Sequence, residues 1–157
     1  QMCIRDRDAC DALGRFANVK RRLEWRGTVR DIAVYDDFAH HPTAIRTTVD
    51  GLRRKVGHEG RILAVFEPRS NTMKLGTMKA QLPWSLEEAD LAFCHSGGLG
   101  WDAQEALLEM GDRAVVIDQI DTLVSKVAKA ARPGDHILCM SNGGFGGIHD
   151  KLLAALA

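Results

Sequence analysis

Residues 35 to 43 read YDDFAHHPT. Two adjacent carboxylates, Asp36 and Asp37, follow an apolar run. Two histidines, His40 and His41, precede a proline that can open a helix. Carboxylates placed this way can hold ribose hydroxyls or a magnesium-bound water, and a histidine can bond a nucleotide or a phosphate. The same residues could equally cap a helix, with Thr43 or a carboxylate satisfying its first amides. The His-His pair does not have metal spacing, because adjacent residues rarely face one centre. Polar residues crowded onto a loop behind a buried strand lean toward ligand binding.

Three further segments carry chemistry. In FEPRSNTMK, residues 66 to 74, Ser70 or Asn71 suits a helix N-cap, and Arg69 and Lys74 add positive charge beside it. A phosphate or carboxylate would be welcome there; an ordinary capped helix with solvated cations explains the same residues. In HSGGLGWDA, residues 95 to 103, Gly98, Gly100 and Ala103 match G-x-G-x-x-A, the dinucleotide fingerprint, with Asp118 downstream. The match falls late in the chain, whereas the fingerprint normally follows the first strand of its unit. In SNGGFGGIHD, residues 141 to 150, four glycines follow an apolar run. Glycine lets backbone amides approach an anion closely. No G-K-[ST] occurs, so this is not a P-loop, and no serine sits in a G-x-S-x-G elbow.

Short apolar runs supply the elements that must position these loops. Ile32–Tyr35, Ile62–Phe66, Leu91–Cys94, Ala114–Ile117 and Ile137–Met140 read as strands buried on both faces. Ile45, Thr48, Val49, Leu52 and Val56 share one helical face. Ile120, Leu123, Val124, Val127 and Ala131 share another, ended by Pro133-Gly134. Helix is also expected over 72–89, broken near Pro83, and over 102–110 and 148–156. Residues 22–34 suit a hairpin around Gly27. Strand-helix alternation predicts an α/β, Rossmann-like, mostly parallel sheet with helices on both faces, preceded by a short β-hairpin. Ligands of such sheets bind beyond the carboxyl ends of the strands, where all four loops fall.

Composition narrows the class. The 157 residues carry 21 basic and 21 acidic side chains, 45% apolar and 27% charged residues. Without a basic excess, dedicated nucleic-acid binding is not expected. No apolar run nears the roughly 20 residues that span a bilayer, and QMCIRDR has no signal-peptide core. Cys3, Cys10, Cys94 and Cys139 form no CxxC pair and no zinc spacing. Cys94 and Cys139, inside apolar runs, read as small buried hydrophobes, and a reducing, cytoplasmic setting is expected.

Taken together, the motifs resemble one family. YDDFAHHPTAI is similar to the segment that opens the C-terminal domain of the Mur ligases, ATP-dependent amide ligases of peptidoglycan assembly. KRRLEWRG resembles the Arg-x-Glu strand at the start of that domain, and GDHILCMSNGGFGGIHDKLL resembles its last strand and Gly-rich turn. With FEPRSNTMKLG and GGLGWD, the likeness is greatest to the branch that joins L-alanyl-γ-D-glutamyl-meso-diaminopimelate to UDP-N-acetylmuramate in peptidoglycan recycling. The UDP-N-acetylmuramate:L-alanine ligases are the sibling alternative. The resemblance covers residues 8–157; residues 1–7 resemble foreign read-through. It further implies that the UDP-sugar domain and the central ATPase domain lie outside this chain, that the Mg2+ ligands and a catalytic lysine lie there too, and that the fragment alone is inactive.

The resemblance also implies a mechanism. ATP phosphorylates the lactyl carboxylate of UDP-N-acetylmuramate, and the peptide amine displaces phosphate from the acyl phosphate. This domain would close over the water-sensitive intermediate and orient the amine. By motif position, Arg22 would lie near the nucleotide and could stabilise phosphoryl charge. Asp36 or Asp37 would hold the ribose, and His40 would stand in the nucleotide neighbourhood. Loop chemistry adds Arg69, Ser70, Asn71, Ser141, Asn142, Gly143 and Gly144 for the peptide carboxylates, and Asp102 for the diaminopimelate ammonium. Two rival classes remain at this point: a stand-alone dinucleotide-binding domain using Gly98, Gly100 and Ala103, and a non-catalytic interaction domain.

Overall fold

The structure, a computed structural model, describes residues 20–69, 76 and 78–157. Strands β1 (Glu24–Val29) and β2 (Ile32–Asp37) form an antiparallel hairpin. Helix α1 (Pro42–Val56) leads to β3 (Ile62–Phe66). A 3-10 turn (Lys79–Gln81) and the short α2 (Leu82–Ser85) lead to β4 (Leu91–His95). Helix α3 (Ala103–Ala106), a 3-10 stretch (Leu108–Arg113), β5 (Ala114–Ile117), α4 (Ile120–Ala130), β6 (His136–Met140) and α5 (Ile148–Leu156) complete the order. The sheet runs β1-β2-β6-β3-β4-β5, and every pairing but β1 with β2 is parallel.

Period-2 alternation divides the central strands between two apolar layers. Ala33, Tyr35, Ala64, Phe66 and Leu138 pack with Ile45, Val49 and Leu52 of α1. Ile32, Val34, Leu63, Val65 and Ile137 pack with Leu123 and Val127 of α4 and with Ile148 and Leu152 of α5. The layered α/β sheet therefore stands as read from the sequence. Cys94 and Cys139 are buried free thiols on opposite layers, and burial pushes both well above the usual thiol range, so neither is a thiolate at neutral pH.

Three local expectations change. The hairpin turns at Arg30 (φ 50°) and Asp31 (φ 62°), not around Gly27. Two successive left-handed residues make the tight two-residue turn that matches strand twist. Gly27 instead lies where the β1 register shifts, and a Cβ there would stand 3.1 Å from Leu153. No long helix fills the described part of 72–89: Pro83 stands in the first turn of the four-residue α2, and no further helix forms before β4. The helix expected over 102–110 is the four-residue α3, followed by 3-10 turns in which Gly111 (φ 57°) departs from helical geometry.

Candidate functional site

The loops after β2, β3, β4 and β6 gather at the carboxyl edge of the sheet. The Ser141 amide donates to the Asp37 carbonyl (3.2 Å), and the Glu67 amide donates to the Met140 carbonyl (3.1 Å). The rings of His95 and Phe145 lie 6.1 Å apart.

Adjacent residues of a strand point to opposite faces, and this separates the two carboxylates. Asp37 faces α1. Its Oδ2 accepts from the Leu23 amide (2.8 Å), and its Oδ1 accepts from the Ala39 amide (2.8 Å) and the Thr48 hydroxyl (3.2 Å). Asp37 thereby fixes the start of β1 to the loop that leads into α1. That loop opens a cavity of about 330 Å³ lined by Arg22, Asp37, Phe38, His40, His41 and Thr47, among others. Phe38 is exposed, and the His40 Nδ1–H donates to the Phe38 carbonyl (2.9 Å), which leaves Nε2 as an acceptor. His41 caps α1: its Nδ1 accepts from the Ala44 amide (3.5 Å), with Pro42 in the first turn. The cap is therefore a histidine, and neither Thr43 nor a carboxylate fills that place.

Asp36 faces the other way and does not line this cavity. It is 2% exposed, with Arg21 Nε (3.3 Å) and Arg26 Nη1 (3.6 Å) beside Oδ2 and His149 Nε2 (3.1 Å) beside Oδ1. The His149 imidazole reaches this buried oxygen from α5. Burial alone would raise the Asp36 carboxyl; contact with His149 and the charges of His149 and Arg21 outweigh it and hold the group below its ordinary value. A carboxyl depressed on folding adds stability above its unfolded value of about 3.9, and that stability is lost as pH falls through the folded value. Asp36→Asn is expected to cost about 2 kcal/mol at pH 7, because the partial exposure of both arginines screens their pairing with the carboxylate. Urea midpoints of the two proteins should draw together as pH falls below about 3.9.

The Gly-rich turn approaches from β6. The Arg21 Nη2 donates to the carbonyls of Ser141 (2.6 Å) and Gly143 (2.7 Å), and the Ser141 hydroxyl accepts from the Gly143 amide (3.0 Å). Gly146 (φ 58°) and Gly147 (φ 70°) supply the left-handed backbone that leads into α5. Gly143 serves another end: a Cβ there would lie 2.9 Å from the Arg69 guanidinium. Arg69, Ser141, Asn142, Gly143 and Gly144 thus form one group, with Arg69 exposed and 3.4 Å from Glu67. Ser70 and Asn71 lie outside the described residues.

Asp102 stands elsewhere. Its Oδ1 caps α3 by accepting from the Gln104 (2.8 Å) and Glu105 (3.2 Å) amides. It also lines a second cavity, of about 500 Å³, with Ser96, Trp101 and Asp118. The glycine spacing at Gly98 and Gly100 leads only into the four-residue α3, too short to be the helix that a dinucleotide fingerprint requires. Sequence reading missed Arg21, Arg26 and His149. The Arg-x-Glu pattern falls on Arg22 and not on its neighbour, and nothing local links His149 to Asp36.

Residues 21–143 match the family described as Mur ligase, glutamate ligase domain. The chain belongs to the Mur ligase family. Among relatives, the UDP-N-acetylmuramate–L-alanyl-γ-D-glutamyl-meso-2,6-diaminoheptandioate ligase of Escherichia coli K12 is 54% identical over 96% of this chain and 33% of its own. The UDP-N-acetylmuramate–L-alanine ligase of Mycobacteroides abscessus is 34% identical over 87% of this chain and 30% of its own. This Mur ligase domain thus spans about a third of the length of these relatives. A murein peptide ligase from Psychrobacter arcticus superimposes with a TM-score of 0.80 at 44% identity, over 94% of this chain and 32% of that one. A domain from a putative UDP-N-acetylmuramate:tripeptide ligase of Haemophilus ducreyi gives 0.75 at 50% identity, over 87% of this chain and all of that one. No described helix of this Mur ligase domain is long and apolar enough to cross a membrane.

Proposed function

We propose that this chain is the C-terminal third of a cytoplasmic ligase that joins murein tripeptide to UDP-N-acetylmuramate at the expense of ATP. The 54% identity to the Escherichia coli enzyme of that name, against 34% to an L-alanine ligase, carries the reading. The 330 Å³ cavity supports a nucleotide at this edge: Arg22 offers fixed charge, Phe38 an exposed aromatic face and His40 a free acceptor.

ATP would activate the carboxylate to be joined, with Mg2+ held by residues outside this chain. Arg22 neutralises charge on the phosphates, and Asp37 and His40 frame the ribose side. Arg69, with the amides of the turn at Asn142 to Gly144, receives a carboxylate of the incoming peptide, because a guanidinium fork matches a carboxylate bidentately. Asp102, in its separate cavity, has an unused oxygen for the ammonium of the third residue. Closure of the domain holds amine and activated carboxylate together and excludes water.

The decisive experiment joins this chain to the amino-terminal two thirds of the Escherichia coli relative and follows phosphate release. Preference for tripeptide over L-alanine supports the reading; the reverse moves the chain to the L-alanine ligases and removes the peptide assignments. Gly143→Ala is a sharper probe. Its methyl group displaces only the flexible end of Arg69. Stability should therefore change by less than about 0.5 kcal/mol. The KM for tripeptide should rise about tenfold, as expected for loss of one charged contact.

A further inference from the structure

Two pairs of sequence neighbours are divided between the cavity and the Gly-rich turn. Arg22 and Asp37 line the cavity. Arg21 and Asp36 meet on the other side, under the turn, 3.3 Å apart. Arg21 also touches the cavity loop: its amide donates to Glu24 Oε2 (3.0 Å), its carbonyl accepts from the Phe38 amide (2.8 Å), and its guanidinium lies over the Phe38 ring (5.3 Å to the centroid). Arg21 (φ 59°) and Leu23 (φ 46°), on either side of Arg22, both adopt left-handed backbone without being glycine. Such residues persist only where their surroundings over-determine them. Here the bonds to Glu24, Phe38 and Asp37 do so, together with the grip of Arg21 on two carbonyls of the turn.

We infer that Arg21 and Asp36 are a positioning pair that couples the cavity to the Gly-rich turn. Any displacement of Phe38 by an occupant of the cavity must move the Arg21 carbonyl. The same residue's guanidinium carries the movement to Ser141 and Gly143. Asp36 keeps that guanidinium in place, and Arg26 and His149 hold the carboxylate from β1 and α5. Neither Arg21 nor Asp36 lines the cavity, so both act through the residues they hold. The inference rests on the proposed function only for the identity of the two ligands, a nucleotide in the cavity and a carboxylate-bearing peptide at the turn.

Amide hydrogen exchange on this chain tests the coupling directly. In Arg21→Gln, the Phe38 and Gly143 amides should both exchange about tenfold faster, while Val49 and Leu52 inside α1 keep their rates. Arg21→Lys, which preserves the charge facing Asp36 and is the mildest change, should accelerate both amides by about threefold together. A response at one segment alone overturns the inference. So does uniform acceleration, α1 included, because it marks a merely structural pair. In the joined ligase, Arg21→Lys should raise the KM values for ATP and tripeptide together, with kcat nearly unchanged. A joined ligase without activity would count against the proposed function, and the exchange result would still decide the coupling.

Discussion

Asp37→Ala is expected to cost this domain about 4 kcal/mol, the largest loss of stability from any single carboxylate in the site. The substitution strands three donors, the amides of Leu23 and Ala39 and the hydroxyl of Thr48. Leaving a buried donor unsatisfied costs about 1–3 kcal/mol, and water reaching the cavity side recovers part of that. Because small domains are stable by only about 5–15 kcal/mol, the variant should unfold at much lower urea with an unchanged m-value. Asp37→Asn should fall between, since its one carbonyl can still accept from an amide. An Asp37→Ala domain within about 1 kcal/mol of the parent would show that the carboxylate is not what ties β1 to the loop before α1.

Arg22→Ala is expected to do the opposite: leave the fold alone and remove the activity. Arg22 is exposed and lies on the rim of the cavity, so its truncation should change the urea midpoint little. In the joined ligase, kcat should fall about 100- to 1,000-fold, the usual loss when one preorganised donor to transition-state charge is removed. Arg22→Lys should recover part of it, because a point charge replaces the fork. Near-normal turnover in Arg22→Ala would take the nucleotide away from this cavity.

The contrast between these two residues shows what could be read in the chain and what could not. The five parallel strands were legible because each is a short apolar run, as at Ile62–Phe66, although the edge strand β5 is only part-buried and not covered on both faces as expected. Helices α1, α4 and α5 were legible from the spacing of residues such as Ile45, Val49 and Leu52. The hairpin turn was not, because Arg30 and Asp31 adopt left-handed backbone without glycine. The division of Asp36 from Asp37 was available in principle: in a strand containing Ile32, Val34 and Asp36 on one face, Asp37 must lie on the other. The partners of Asp36 were not, since Arg21 reaches it from beyond the other strand of the hairpin and His149 from the last helix, and they meet only when the fold forms.

The sheet order carries a consequence for biosynthesis. β6, the last strand to be made, lies in the middle, between β2 and β3. Until residue 140 has left the ribosome, β2 and β3 have no common neighbour, and the edge of each that β6 will cover is open to other chains. The nascent domain therefore cannot close stepwise from its amino terminus. It must wait for a strand that contributes to both apolar layers, and for α5 behind it, and a ribosome stalled before that point would display an aggregation-prone half-sheet.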